Sequence, residues 1–165
     1  HDVPVGTAYD AADLAADEHV RVRGDLVTVE GPYGCFEFDN EKPRQIWIAG
    51  GIGVAPFAAR LKALIAHPDD SKKIDFYYSA SPSDDEAFIK RIQSASTAAH
   101  VEAHVLVPER DGRLNAGRIC REVPECREAD FWFCGPTAFG DTLRQDLTAR
   151  GLGMDAFHQE LFEMR

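Results

Sequence analysis

Several features that would define a protein class are missing from this chain of 165 residues. No apolar run is long enough to span a bilayer, and no signal-peptide pattern occurs. The four cysteines form no C-x-x-C pair and no C-x4-C-x2-C spacing, so the sequence supports neither a zinc site nor an iron–sulfur cluster. We therefore expect reduced thiols in a cytoplasmic protein, and no bound metal.

Positive charge is also scarce. The chain has 18 Lys and Arg against 28 Asp and Glu, which gives a formal net charge of −10. Nucleic-acid binding is disfavoured, because it needs clustered cations to neutralise phosphates. A hydrolase is disfavoured too, since there is no G-x-S-x-G sequence and no His–Asp pattern near Ser79 or Ser81. Hydrophobic residues make up 44% of the chain, which is enough to build a core.

From residue 45 onward, short apolar segments alternate with segments of helical periodicity. The predicted strands are 45–50, 73–80, 100–107, 130–135 and 156–162. The predicted helices are 56–67, 84–96, a short one within 111–123, and 137–151. Strand–helix alternation of this kind predicts the α/β class, as a doubly wound five-stranded parallel sheet with helices on both faces.

The predicted core follows from the same periodicities. Trp47 and Trp132 fall inside strands and should be buried. The buried face of the first helix should carry Phe57, Leu61, Leu64 and Ile65. Gly151 should end the last helix, because glycine readily adopts the left-handed conformation that follows a helix C-terminus.

Residues 1–40 have a different character. An acidic, alanine-rich stretch at 8–18 precedes a strand-like stretch at 19–31, and a segment this short cannot bury a core alone. We interpret 1–40 as the end of a preceding domain with a linker, and 41–165 as the α/β domain. Because the chain starts with His1 rather than Met, we expect it to be part of a longer protein.

A glycine-rich turn joins the first strand to the first helix in IWIAGGIGVAP, residues 46–56. Backbone N–H groups at a helix N-terminus bind phosphate well, and the turn must lack side chains for a phosphate to come close. Gly50, Gly51 and Gly53 meet this need, and Pro56 fits the first helical turn because it has no N–H to leave unpaired. The turn therefore predicts a phosphate site, with a plain tight turn as the alternative.

The spacing here is G-G-x-G-x-x-P, and three further motifs accompany it in order: GPYGCF (31–36), CGP (134–136) and HQELF (158–162). Together these motifs resemble the ferredoxin–NADP reductase family over residues 27–165. Within that family, VTVEGPYG and FHQELFEMR are most similar to the flavoprotein part of membrane ferric reductases and NADPH oxidases.

The resemblance implies an NAD(P)H-dependent flavoprotein oxidoreductase, in which 1–40 is the tail of a preceding flavin-binding barrel with a linker and 41–165 is the NAD(P)H-binding domain. NAD(P)H would lie with its pyrophosphate over Gly51 and Gly53 and would pass hydride to FAD, with electrons continuing to a haem or metal acceptor. Cys134 matches the cysteine beside the nicotinamide, and Glu160 matches the family's C-terminal glutamate. Gly135 and Pro136 match the residues that shape the loop carrying Cys134. Phe162 matches the aromatic residue that covers the flavin ring. The implied partners are a flavin-binding domain and a membrane haem domain, at the cytoplasmic face of a membrane.

The choice between NADH and NADPH depends on the segments after the second and third strands. NADP sites need cations or hydroxyls around the 2′-phosphate. Ser79 follows the second strand without an arginine nearby, and Glu109 occupies a position where NADP-dependent relatives carry arginine. These residues favour NADH, while Arg110 and Arg113 keep NADPH open.

Two other functions fit the sequence. One is the reductase component of a soluble oxygenase system, and the other is a nucleotide-binding module without turnover. The flavin-binding Arg-x-Tyr-Ser and Gly-x-x-Ser/Thr motifs are missing, so we expect this chain to hold FAD weakly or not at all and to be inactive alone. His100 and His104 are four residues apart, but a strand would separate them too far to chelate a metal easily.

Overall fold

The computed structural model describes Phe36, Phe38 and residues 42–69, 71–81 and 84–160. The predicted barrel tail at 1–40, apart from the two phenylalanines, lies outside the described residues, and so does Phe162. Among the residues that the structure describes, no helix is long and apolar enough to cross a membrane.

Five parallel strands form one sheet, as the sequence predicts. They are β1 (Arg44–Gly50), β2 (Lys73–Ser79), β3 (Glu102–Leu106), β4 (Asp130–Cys134) and β5 (Phe157–Glu160). Their order across the sheet is β3-β2-β1-β4-β5, so β1 is central and pairs with β2 on one side and β4 on the other. Strands β2 and β3 therefore lie on one side of β1, and β4 and β5, which come later in the chain, lie on its other side.

Helices cover both faces of the sheet. They are α1 (Ala55–Ala66), α2 (Glu86–Ala98), α3 (Pro108–Asp111), α4 (Ala116–Glu122) and α5 (Thr137–Ala149). A turn of 3-10 helix, Gly51–Val54, precedes α1, and another, Met154–Ala156, precedes β5. The short helix predicted within 111–123 is α4, whereas α3, which precedes it, was not predicted.

Alternation along the strands divides the core between the two faces. Trp47 lies level with Phe76 of β2 and Trp132 of β4, and this aromatic row packs with α1 and α2. Ile46 and Ile48 point to the other face, where α4 and α5 pack. Both predicted tryptophans are buried, which confirms their place in the core.

The buried stripe of α1 is narrower than predicted. Phe57, Leu61 and Leu64 are buried, but Ile65 is 43% exposed. Ile65 shares the side of Leu61, about 40° round the helix from it, but it lies one residue before the helix ends at Ala66. The inclusion of Ile65 in the core was therefore wrong. Gly151 follows α5 with φ of +100°, the conformation expected for it.

The expectation of reduced thiols is also wrong for one pair of cysteines. Cys120 in α4 is bonded to Cys126, and their Cα atoms lie 5.2 Å apart. Helix α4 ends at Glu122, and the chain then turns back through 124–129 toward β4, which brings the two residues together. Cys134 is a free, buried thiol. A bond over six positions depends on where the helix ends, which the spacing alone does not determine.

Ion pairs between buried carboxylates and partly exposed cations lie at the amino-terminal edge of the sheet. Asp75 accepts from Arg44 at 2.8 Å and lies 3.3 Å from His104 Nε2, while Asp130 is 3.2 Å from Lys42 Nζ. His104 is thus paired with a carboxylate, and His100 lies outside β3 with φ of +56°. Among the described residues, no group of three His, Cys, Asp or Glu side chains is arranged to hold a metal ion.

Candidate functional site

The strand order changes direction at β1, and ligands of doubly wound sheets bind at such a point, outside the carboxyl ends of the strands. Two turns meet there. One is the glycine turn after β1, and the other follows β4 at Gly135 and Pro136. A Cβ built on Gly50 would lie 2.9 Å from Pro136 Cδ, so the two turns are in direct contact.

Gly53 and Gly51 are glycines for different reasons. A Cβ on Gly53 would overlap the backbone carbonyl of Cys134, so only glycine allows the turn to pack against the end of β4. Gly51 has φ of +53°, which side-chain-bearing residues rarely adopt, and no atom of the described residues lies within 4 Å of the position its Cβ would take. Gly53 thus joins the two turns, whereas Gly51 keeps open space above the first turn.

A cavity of about 410 Å³ opens over these turns. Ten residues line it: Gly50, Gly51, Ile52, Gly53, Ser79, Ser81, Gly135, Pro136, Thr137 and Phe139. They come from the ends of β1, β2 and β4 and from the start of α5. No side chain caps the 3-10 turn Gly51–Val54 or the start of α5. The first N–H groups of a helical segment lack partners within it, so the cavity lies where backbone donors are available to an anion.

Six of the residues predicted for cofactor binding line this one cavity: Gly50, Gly51, Gly53, Ser79, Gly135 and Pro136. Pro56 lies in the first turn of α1, where its missing N–H costs no hydrogen bond. It is not among the lining residues, so its contribution is to start the helix.

Cys134 lies at the carboxyl end of β4, below the cavity rather than in its lining. Its side chain is fully buried with the aromatic row of the α1 face. Burial, with a smaller effect from the charge of Glu160, raises the pKa of the Cys134 thiol to about 12. The thiol is therefore protonated at neutral pH and does not serve as a thiolate nucleophile.

Glu160 lies at the end of β5 and pairs in register with Cys134. Glu160 is half-buried, and its negative charge is the smaller of the two causes that raise the pKa of Cys134. The two predicted catalytic residues therefore lie together at one edge of the sheet, beside the cavity wall formed by Gly135 and Pro136.

Glu109 and Arg110 lie in α3 and are exposed. The Arg110 guanidinium donates to both oxygens of Asp111, at 3.0 and 2.9 Å. Asp111 also accepts from the backbone N–H of Val107 at 2.9 Å, and Arg110 followed by this bond lowers the pKa of Asp111 to about 2. Neither Glu109 nor Arg110 is among the residues that line the described cavity, and the charge of Arg110 is already paired.

Four lining residues were not predicted from the sequence: Ile52, Ser81, Thr137 and Phe139. Ile52 lies inside the glycine turn and is 70% exposed, which its apolar side chain alone would not suggest. Thr137 and Phe139 directly follow the Gly135–Pro136 turn. Their position after a strand that ends at the ligand-binding edge is the signal that identifies them.

Comparisons with known proteins identify the family of the domain that contains this cavity. The model of the oxidoreductase NAD-binding domain family matches residues 47–145, which include every lining residue of the cavity. A flavohemoprotein of Oceanobacillus iheyensis is 25% identical over 148 residues, covering 84% of this chain and 36% of the relative. Vanillate O-demethylase oxidoreductase of a Pseudomonas species is 26% identical over 148 residues, covering 90% of this chain and 45% of the relative. The chain thus spans less than half the length of these relatives.

Solved structures share the fold. The flavohem-like FAD/NAD binding domain of nitric oxide dioxygenase from Vibrio cholerae superposes with a TM-score of 0.61 at 20% identity, covering 75% of this chain and 52% of that chain. The cytochrome b5 reductase domain of Ulva prolifera nitrate reductase superposes with a TM-score of 0.57 at 19% identity, covering 73% and 50%. These structures support a ferredoxin reductase-like arrangement of the sheet and helices.

Proposed function

Because the chain belongs to the oxidoreductase NAD-binding domain family, we propose that it binds NAD(P)H in the cavity at the carboxyl edge of the sheet and presents the nicotinamide to a flavin on a neighbouring domain. One observation carries the proposal. The glycine turn after β1 and the Gly135–Pro136 turn after β4 meet at the point where the strand order reverses, and the cavity of about 410 Å³ opens above them.

The pyrophosphate belongs over Gly51 and Gly53. The space above Gly51 is open, and the short helical turn that starts there offers backbone N–H groups without side-chain caps. Phosphate at such a helix start is stabilised by these donors and by the helix dipole. Ser79 and Ser81 then provide hydroxyl groups along the wall after β2.

The nicotinamide belongs beside Gly135, Pro136 and Thr137, near the end of β4. A reduced nicotinamide supplies a hydride to a flavin, and the protein's part in such a transfer is to orient the groups and exclude water. Cys134 contributes a neutral, buried thiol under this wall, and Glu160 adds a carboxylate at its edge. Both residues therefore help to position the nicotinamide and set the polarity around it, since the protonated thiol is not a nucleophile.

NADH is the coenzyme that the charges favour. Arg110, the nearest arginine after β3, already donates to both oxygens of Asp111. Capturing a 2′-phosphate would require breaking that bidentate pair, and Glu109 next to it would repel the phosphate. A ribose 2′-hydroxyl carries no charge, so its binding does not require the Arg110–Asp111 pair to break and is not opposed by the charge of Glu109.

For the electron acceptor we propose a haem, held with the flavin in one longer protein. Flavohemoproteins among the relatives support this assignment, and one solved neighbour is a flavohemoglobin with bound FAD and haem. The resemblance to ferric reductases extends the proposal to a membrane haem domain reached from the cytoplasmic face. The second candidate, a soluble oxygenase reductase, is favoured by vanillate O-demethylase oxidoreductase and by the ferredoxin reductase of carbazole 1,9a-dioxygenase.

The test is an NMR titration of the chain with NADH and with NADPH. We expect shifts at the backbone amides of residues 51–53, 135 and 137, and tighter binding of NADH. No shift from either coenzyme at millimolar concentration would overturn the proposed function. Binding without NADH oxidation, when the full-length flavoprotein is assayed, would instead support the nucleotide-binding module without turnover.

A further inference from the structure

The cavity wall after β2 is held by one carboxylate that does not line the cavity itself. Asp84 Oδ2 accepts from the backbone N–H of Ser81 at 2.6 Å, and the N–H of Asp84 donates back to the Ser81 carbonyl at 2.9 Å. This reciprocal pair closes the turn that carries Ser81. The N–H of Ala80 donates to Leu106 O at 2.8 Å, which ties the same turn to the end of β3.

The same oxygen of Asp84 also accepts from a tyrosine in the core. Tyr78 donates its hydroxyl to Asp84 Oδ2 at 2.6 Å, and the tyrosine side chain is only 1% exposed. Its ring packs with Phe76 and Phe88, at centroid distances of 6.4 and 6.3 Å. Burial, followed by the bond to Asp84, raises the pKa of Tyr78, so the hydroxyl remains a donor.

Resting on the function proposed above, we propose that Tyr78 and Asp84 are positioning residues that set the affinity for the adenosine half of the coenzyme. With the nicotinamide placed after β4 and the pyrophosphate after β1, the adenosine half falls on the remaining wall, at Ser79 and Ser81 after β2. The rigid core ring of Tyr78 holds the carboxylate, and the carboxylate holds the Ser79–Ser81 wall. A site keeps its affinity only when the groups behind its lining hold that lining in place. Without this support, the cost of ordering the wall would reduce the free energy of binding.

Tyr77 offers a matched control one residue away. It is as buried as Tyr78, and its hydroxyl donates to Glu122 Oε2 at 3.0 Å. Its side chain lies on the opposite face of the sheet, and Glu122 belongs to α4 rather than to the cavity. Tyr77→Phe and Tyr78→Phe therefore remove the same kind of bond, but only Tyr78→Phe removes one that supports the cavity wall.

The experiment measures AMP and nicotinamide mononucleotide binding by NMR titration, with thermal unfolding of each variant. Tyr78→Phe should bind AMP about five- to tenfold more weakly, which is less than the full value of one hydrogen bond to a charged group, because the wall keeps its other hydrogen bonds. Nicotinamide mononucleotide should bind it as it binds wild type, and Tyr77→Phe should bind AMP within about twofold of wild type. Because both variants keep the ring, they should lose similar, small amounts of thermal stability.

A second comparison tests whether Tyr78 acts through Asp84. The double variant Tyr78→Phe/Asp84→Ala should bind AMP no more weakly than Asp84→Ala alone, because the tyrosine then has nothing to hold. Unchanged AMP affinity in Tyr78→Phe, or an equal loss in Tyr77→Phe, would overturn the inference while wild-type binding stands. Failure of wild type to bind either AMP or NADH would instead defeat the proposed function, and this inference with it.

Discussion

Gly51→Ala separates the conformational role of this glycine from its role in leaving space for a phosphate. Gly51 has φ of +53°, and no atom of the described residues lies within 4 Å of the position its Cβ would take. Gly112, in the loop after α3, has φ of +74° and equally open surroundings among those residues, but it lies away from the cavity. Alanine at either position therefore meets backbone strain and no overlap, and the strain is at least as large at Gly112, whose ψ of 169° with this φ is a combination that essentially only glycine adopts.

Both variants should lose stability, and Gly112→Ala should lose at least as much as Gly51→Ala. Left-handed backbone costs alanine about 1–2 kcal/mol. Reduced freedom of the unfolded chain offsets about 0.4–1 kcal/mol of that cost. For Gly51→Ala the net loss of about 1 kcal/mol should lower Tm by about 2–4 °C, measured by thermal unfolding, and Gly112→Ala should lower Tm by at least as much.

Binding should differ between them. In Gly51→Ala the new methyl group occupies the space proposed for the pyrophosphate, and it should remove at least one hydrogen bond to a charged group, worth about 1.5–3 kcal/mol. ADP affinity, measured by isothermal titration calorimetry, should therefore fall about 10- to 100-fold in Gly51→Ala and stay unchanged in Gly112→Ala. Equal ADP affinity in the two variants, with Tm lowered in both, would show that the pyrophosphate does not lie over Gly51.

Three further predictions concern charge and sulfur chemistry. Asp111→Asn should release Arg110 and tighten binding of 2′-phospho-AMP by about fivefold relative to AMP, measured by NMR titration; an unchanged ratio would remove Arg110 from the coenzyme site. The pKa of Cys134 is raised from 9.0 to about 12, so the neutral thiol stabilises the fold below about pH 9 and that stabilisation is lost as the pH rises toward 12. Wild type should accordingly lose more free energy of unfolding between about pH 8 and about pH 11 than Cys134→Ala, in denaturant titrations. Peptide mapping without reductant should find Cys120 linked to Cys126, and recovery of both as alkylated thiols would contradict the pairing.

The amino-acid sequence by itself determined the fold class and the position of the glycine turn. Apolar strands and amphipathic helices are local patterns, so the alternation of β1 to β5 with helices could be predicted without any contact between them. The same holds for Gly51, since a strand, a glycine turn and a helix follow one another directly along the chain. The burial of Trp47 and Trp132 also followed from position within a strand.

Other features were decided by tertiary structure, because they depend on residues far apart in the chain or on where an element ends. The strand order places the turn after β4 against the turn after β1, which makes Gly53 indispensable at its contact with the Cys134 carbonyl. The exposure of Ile65 depends on what the last turn of α1 packs against, and the Cys120–Cys126 bond depends on where α4 ends. A sequence pattern predicts the face of an element or the turn on which a residue lies. The residue that it contacts there depends on how the elements pack in three dimensions, which residue spacing does not determine.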